Sequence, residues 1–166
     1  MRKLKISSLL LGLFTAVAFT SCDEGGNPDA GGTATEDFAG DWHIVGLDPV
    51  DGTPAFGGDY YLWSTYNASS NDENFWIDDH DTFFELKAKA QANISALTFE
   101  SEPNTLELYL GGTVTIVNGK ILKNAGTSFG GHQVDSIYFE CEFDWDPGNF
   151  YKFGGHKRTG FLEDEL

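Results

Sequence analysis

The sequence predicts an all-β protein: a single antiparallel meander barrel of about eight to ten strands, behind a signal peptide and a flexible tether. Three observations predict it. Several segments alternate apolar and polar residues with period two, the mark of strands with one dry and one wet face. Beyond the tether no window of a dozen residues places apolar residues at helical spacing, and Gly, Pro, Asn and Asp clusters interrupt the chain at short intervals. A meander with this much apolar surface closes most readily into a barrel, which removes its edges; a small sandwich is the rival architecture.

Arg2, Lys3 and Lys5 open the chain, residues 6–19 are almost wholly apolar, and Thr20, Ser21 and Cys22 follow. A membrane-spanning helix needs about 20 apolar residues, so this shorter run reads as a signal peptide over residues 1–21. Phe19-Thr20-Ser21-Cys22 resembles a bacterial lipobox, with Phe19 where Leu is usual. Cys22 is then the lipidation site, carrying a diacylglyceryl group and a further acyl chain such as palmitate. Two or more chains make an anchor stable, so the expected partner is the outer membrane, reached through lipid on Cys22, with the cell surface and the periplasmic face both open. Plain secretion with a free Cys22 is the alternative. Residues 22–37 are small and polar and form the tether; residues 38–166 form one domain.

Cleavage removes three of 10 basic residues and none of 26 acids, which moves the formal charge from −16 to −19. A surface this acidic repels the phosphates of nucleic acid and anionic lipid headgroups. Nucleic acid is therefore excluded as a partner, and membrane contact falls to the lipid. With Cys22 occupied, Cys141 has no disulfide partner and reads as a small buried hydrophobe.

Within the domain, strands are expected at 42–47, 60–66 and 75–78, then at 84–90, where Phe84, Leu86, Ala88 and Ala90 alternate with Glu85, Lys87 and Lys89. Residues 96–100 follow. At 106–110 Leu106, Leu108 and Leu110 alternate with Glu107 and Tyr109, so the leucines should face inward. Asn118-Gly119 tolerates positive φ at both positions and predicts a two-residue hairpin joining 113–117 to 120–123. In 137–145, Ile137, Phe139, Cys141, Phe143 and Trp145 share one face and Glu140, Glu142 and Asp144 the other; Asp146-Pro147-Gly148-Asn149 then turns the chain into 150–156.

Ser64-Thr65-Tyr66-Asn67, Trp76-Ile77-Asp78-Asp79, Phe84-Glu85-Leu86-Lys87-Ala88-Lys89, Val134-Asp135-Ser136-Ile137-Tyr138-Phe139-Glu140 and, most specifically, Gly155-His156-Lys157-Arg158-Thr159-Gly160-Phe161 resemble a family of Bacteroidota lipoproteins catalogued as lipid-binding putative hydrolases. The resemblance runs from about Phe38 to the C-terminus. It implies a lipocalin-like barrel, a lipid-like ligand and a hydrolytic activity.

For hydrolysis, Gly126-Thr127-Ser128-Phe129-Gly130 fits the nucleophile-elbow pattern, and Asp144 and His156 follow in serine, acid, histidine order. An elbow needs a strand-to-helix turn, however, and here a Gly-rich loop leads into another strand, so Ser128 and His156 remain weak catalytic candidates. Asp78, Asp79 and Asp81 crowd around His80 and could offer oxygens to Ca²⁺, but the spacing fits no EF-hand loop and an acidic turn is commonly just solvated. The carboxylates of Glu140, Glu142, Asp144 and Asp146 could act as acid and base; they read more simply as a wet strand face. No cofactor is expected.

Aromatic residues make up 14% of the chain, more than the packing of one domain requires, so some could line an apolar pocket. The leading expectation is a non-catalytic module holding a small lipid-like or amphipathic ligand in unfilled space inside the barrel. Trp63, Tyr66, Trp76, Phe84, Phe139 and Tyr151 would line that space. Arg158 would either anchor a carboxylate or phosphate headgroup or pair with Glu163, Asp164 or Glu165. The other classes are a hydrolase of unknown substrate and an accessory subunit of an envelope or nutrient-uptake assembly.

Overall fold

A computed structural model describes residues 32–166; the expected signal peptide at 1–21, the expected lipidation site Cys22 and most of the expected tether lie outside the described residues. The folded unit spans Thr33–Leu166. It takes in the last tether residues, because Thr35 is buried and Glu36–Phe38 form a short 3-10 turn whose Phe38 ring enters the core.

Nine strands follow in chain order: β1 Gly40–Leu47, β2 Tyr61–Asn67, β3 Asn74–Asp78, β4 Lys87–Asn93, β5 Thr98–Glu100, β6 Thr105–Leu106, β7 Thr113–Thr127, β8 Gln133–Phe143 and β9 Phe150–Lys157. Each pairs antiparallel with its neighbours. The ladder runs β5-β4-β3-β2-β1-β9-β8-β7, and a β5–β7 pairing through Thr98↔Lys120 and Phe99↔Gly119 closes it into an eight-stranded barrel. β6 is an extra strand, paired with β7 through Thr105↔Val114 and Leu106↔Thr113. The expected lipocalin-like meander barrel is therefore the fold.

Period two decides the interior. Trp42 and Ile44 of β1, Trp63 of β2, Phe75 and Ile77 of β3, Phe139, Cys141 and Phe143 of β8 and Phe153 of β9 are all essentially inaccessible. β4 answers them with Ala88, Ala90 and Ala92. Small residues on one wall leave room for rings from the others, the large-against-small interdigitation that fills a core to native density.

Two local expectations are corrected. Asn118-Gly119 makes no hairpin: β7 runs straight through it, and its register with β8 jumps from Val117↔Glu140 to Lys120↔Tyr138. The positive φ of Asn118, 57°, serves a bulge instead of a turn. Gly119 is required there because a Cβ would strike the Phe99 ring, which seals the barrel at its closure seam. At 106–110 only Thr105–Leu106 is strand, Leu106, Leu108 and Leu110 are exposed and Glu107 is buried. The Glu107 carboxylate accepts from the backbone N–H groups of Lys87, Tyr109 and Leu110 at 3.2, 2.5 and 2.7 Å. It draws the turn inward, and the leucines face water.

Candidate functional site

The loops 48–60, 79–86, 107–112 and 144–149 meet at one end of the barrel, which we call the mouth. Rings fill it and continue into the core without a break. Phe84 lies 5.5 Å from Phe56, 4.7 Å from Phe83, 5.1 Å from Tyr151 and 4.9 Å from Phe153, ring centroid to ring centroid. Tyr61 stacks on Phe83 at 4.2 Å. Below them Phe153 is 5.2 Å from both Trp63 and Phe139, which are 5.6 Å from each other. At the rim Phe56, Leu108, Leu110 and Trp145 are each about half exposed, and a narrow cleft opens between Phe84, Leu110, Phe143 and Trp145.

Phe83 and Phe84 plug the mouth, and the Asp79 carboxylate makes most of the side-chain hydrogen bonds that hold the loop carrying them. Asp79 is fully buried. Its carboxylate accepts from the backbone N–H groups of Asp81, Phe83, Phe84 and Leu86 at 2.9, 3.2, 2.7 and 3.0 Å. His80, Asp81 and Glu85 in the same loop have φ of 59°, 60° and 54°. Non-glycine residues rarely adopt this left-handed region, and its cost must be met by surrounding contacts.

The neighbouring Asp78 points outward and binds that side of the barrel together. It accepts from Lys87 Nζ at 2.7 Å, Tyr66 Oη at 2.7 Å and Tyr109 Oη at 2.6 Å. Burial opposes its charge, but Lys87 and the Tyr109 and Tyr66 hydroxyls outweigh burial and hold the carboxyl far below its usual range. A carboxyl that binds protons less readily folded than unfolded stabilises the fold fully above its unfolded pKa and loses that contribution as pH falls below about 4. Asp78→Asn is therefore expected to be less stable than wild type at pH 7, with the gap closing toward pH 2. Urea midpoints across that range measure it, and a gap independent of pH would disprove the role assigned to Asp78.

Of the seven residues expected to bind ligand, the structure joins four. Trp63, Phe84, Phe139 and Tyr151 belong to the ring chain; Tyr66 and Trp76 lie on the outer wall, where Lys87 and Lys89 cover their rings at 5.7 and 5.0 Å. Arg158 is also outside, gripped by Glu165 through Nε and Nη2 at 2.9 Å and by Asp41 at 3.4 Å. Of its two expected roles, the geometry is that of the carboxylate pairing. The expected unfilled space is not found among the described residues, since Trp63, Phe139, Phe153, Phe75, Phe99 and Phe38 occupy the interior. A groove of about 690 Å³ does run along the outer wall between Gln91, Glu100, Lys120, Tyr138 and Glu140. Its lining is as polar as it is apolar and stands open to solvent, whereas ligand cavities are mostly apolar and enclosed.

The weak catalytic and metal candidates are accounted for differently. Ser128 caps the β7–β8 hairpin, its Oγ accepting from His132 N–H at 2.9 Å and lying against the Asp164 carboxylate. His156 Nε2 has no hydrogen-bond partner among the described residues, so it makes no bond to Ser128 there. Asp144 accepts from Thr113 N–H at the opposite end. Asp78 and Asp79 are committed to the contacts above, and Asp81 stands apart on the surface.

Sequence reasoning counted Tyr61, Phe83 and Phe143 among the surplus aromatic residues without placing them in the lining, and it missed Phe153. Phe143 and Phe153 were available from parity, being inward on the same strands as Phe139 and Tyr151. One further feature has no sequence signal: the Trp63 indole Nε1–H is buried without an acceptor among the described residues, whereas that of Trp42 donates to Thr65 Oγ1 at 2.8 Å.

No curated protein matches this chain. A family model matches residues 27–162, and on that match the chain belongs to the family described as "Lipid-binding putative hydrolase".

Proposed function

We propose that this protein is a lipoprotein, held at the outer membrane by lipid on Cys22, whose barrel takes one slender lipid-like or amphipathic molecule through the aromatic mouth. Phe83 and Phe84 swing aside as the acyl portion enters, and its chain replaces their contacts with Phe153 and Tyr151. The observation that carries this reading is Trp63, a fully buried indole with an orphan N–H at the inner end of the ring chain. A buried donor without an acceptor costs free energy, and a ligand oxygen brought to that depth removes the cost. The ligand family in the matched description supports the same reading.

Titrating the full chain in detergent with cis-parinaric acid tests it. Saturable binding of one molecule per chain, displaced by palmitate and quenching tryptophan emission, is expected; absence of saturable binding, together with native mass spectra free of adducts, overturns it. Anchoring is tested separately: Cys22→Ser should move the protein from the membrane fraction to the soluble one, and continued sedimentation with membranes would refute the lipid anchor.

A further inference from the structure

His43 and His156 face each other across the β1–β9 ladder, where they are direct register partners. Both point away from the barrel interior, yet both are buried, at 1% and 7% exposure. The tip of the β7–β8 hairpin covers them: Phe129 stacks on His43 at 5.1 Å and meets His156 edge-on at 4.8 Å. Tyr60 closes the side at 5.7 Å from His156, and the two imidazole rings lie 5.4 Å apart. Among the described residues His43 Nδ1 and His156 Nε2 have no hydrogen-bond partner. Such a box holds neutral imidazoles better than charged ones. Protonation adds an N–H donor away from water, and charging both rings sets two like charges side by side.

We propose that this cross-strand histidine pair is an acid-released latch: residues 128–132 lie closed over two neutral imidazoles and lift from the barrel wall when falling pH protonates them. The ladder between β7 and β8 ends at Thr127↔Gln133, so the tip can swing without breaking a strand pair. Lifted into water, each histidine takes up a proton at about pH 6.5. The closed box resists that proton, so the open form binds more protons and acid favours it. Burial holds both imidazoles below their usual value, and the charge of His43 adds to this at His156. Carboxylates pull the other way, Glu165, Asp164 and Asp41 on His43 and Asp164 on His156. Glu165 and Asp41 are already bound to Arg158, at 2.9 and 3.4 Å, and the Arg158 charge itself opposes protonation of His43. Asp164 is committed to Gly130 N–H and the Thr159 hydroxyl. His132, on the tip, stands 3.6 Å from Glu163 and 3.9 Å from Asp164, so its own protonation holds the tip down and works against release. The latch lies outside the barrel and is independent of the lipid reading.

Hydrogen exchange of the full chain between about pH 7.5 and pH 5, corrected for the intrinsic pH dependence of exchange, tests the latch. It is read at the amides of Ser128, Gly130, Gly131 and His132, all of which donate in the closed tip. Each proton taken up below about pH 6.5 multiplies the opening constant about tenfold per pH unit. Protection at the tip should therefore fall at least about 30-fold by pH 5, while amides near Phe139 in β8 keep theirs. The ring ¹⁵N resonances of His43 and His156 should stay those of neutral imidazole until the tip lifts. Replacing both, His43→Gln with His156→Gln, should remove the pH dependence, and His132→Ala should keep it. Tip protection that does not change with pH in the wild-type protein overturns the proposal, whatever the variants do. Titration of both rings at about pH 6.5 under a tip that stays protected overturns it too, as does a pH dependence that survives in the double variant.

Discussion

Asp79→Ala is expected to destabilise the barrel by on the order of 3 kcal/mol and to speed entry of a fatty-acid probe several-fold. The carboxylate satisfies four backbone N–H groups of the 79–86 loop, and hydrogen bonds to a charged acceptor contribute about 1.5–3 kcal/mol each before the loop relaxes toward water. Relaxation is easy because His80, Asp81 and Glu85 leave the left-handed region once nothing holds them. Freed in this way, Phe83 and Phe84 lose their fixed position over Tyr61 and Phe153. Asp79→Asn, which keeps one acceptor oxygen, should fall between the two. Urea unfolding and stopped-flow probe binding measure the two effects. A loss below about 1 kcal/mol, or an unchanged association rate, would mean that the plug is held by ring packing and not by Asp79.

The fold was legible because its signal is repetitive. Ile137, Phe139, Cys141 and Phe143 alternate with wet residues, and all four are buried; one such strand specifies its own inward face. The failures came where a single residue overrode the pattern. At 106–110 the alternation was present but inverted in meaning, since a carboxylate that collects three backbone N–H groups competes successfully with exposed leucines for the interior. Asn118-Gly119 fits a hairpin turn and a bulge equally well in isolation. What decides is Phe99 on another strand, and sequence proximity cannot supply that contact.

Part of the site was legible from parity alone. Trp63 and Tyr66 are three apart on β2, so they cannot share a face, and Trp76 lies between the inward Phe75 and Ile77. Tyr66 and Trp76 were thus excluded from the interior by the same rule that admitted Trp63. His43 illustrates the opposite limit. Its parity is outward, between Trp42 and Ile44, and its burial depends on Phe129, 86 positions along the chain by their numbering, which nothing local announces.

Trp63 separates packing from polarity in the proposed binding of lipid, because two substitutions act on it in different ways. Trp63→Ala removes a fully buried indole from contact with Phe139 and Phe153, and large-to-small changes of this kind cost about 3–5 kcal/mol. Trp63→Phe keeps a ring in that contact and deletes the orphan N–H. The packing lost is offset by about 1–3 kcal/mol of relieved desolvation, so its stability should lie within about 1 kcal/mol of wild type. Fatty-acid binding should respond in the other sense: Trp63→Phe, well folded, is expected to bind cis-parinaric acid about tenfold more weakly, the loss of roughly one hydrogen bond from a buried donor. Chemical unfolding and probe titration on the same preparations give both numbers. If Trp63→Phe is as unstable as Trp63→Ala, the indole N–H is not an orphan; if it binds the probe as tightly as wild type, the ligand's polar end does not reach Trp63 and the depth assigned to the site is wrong.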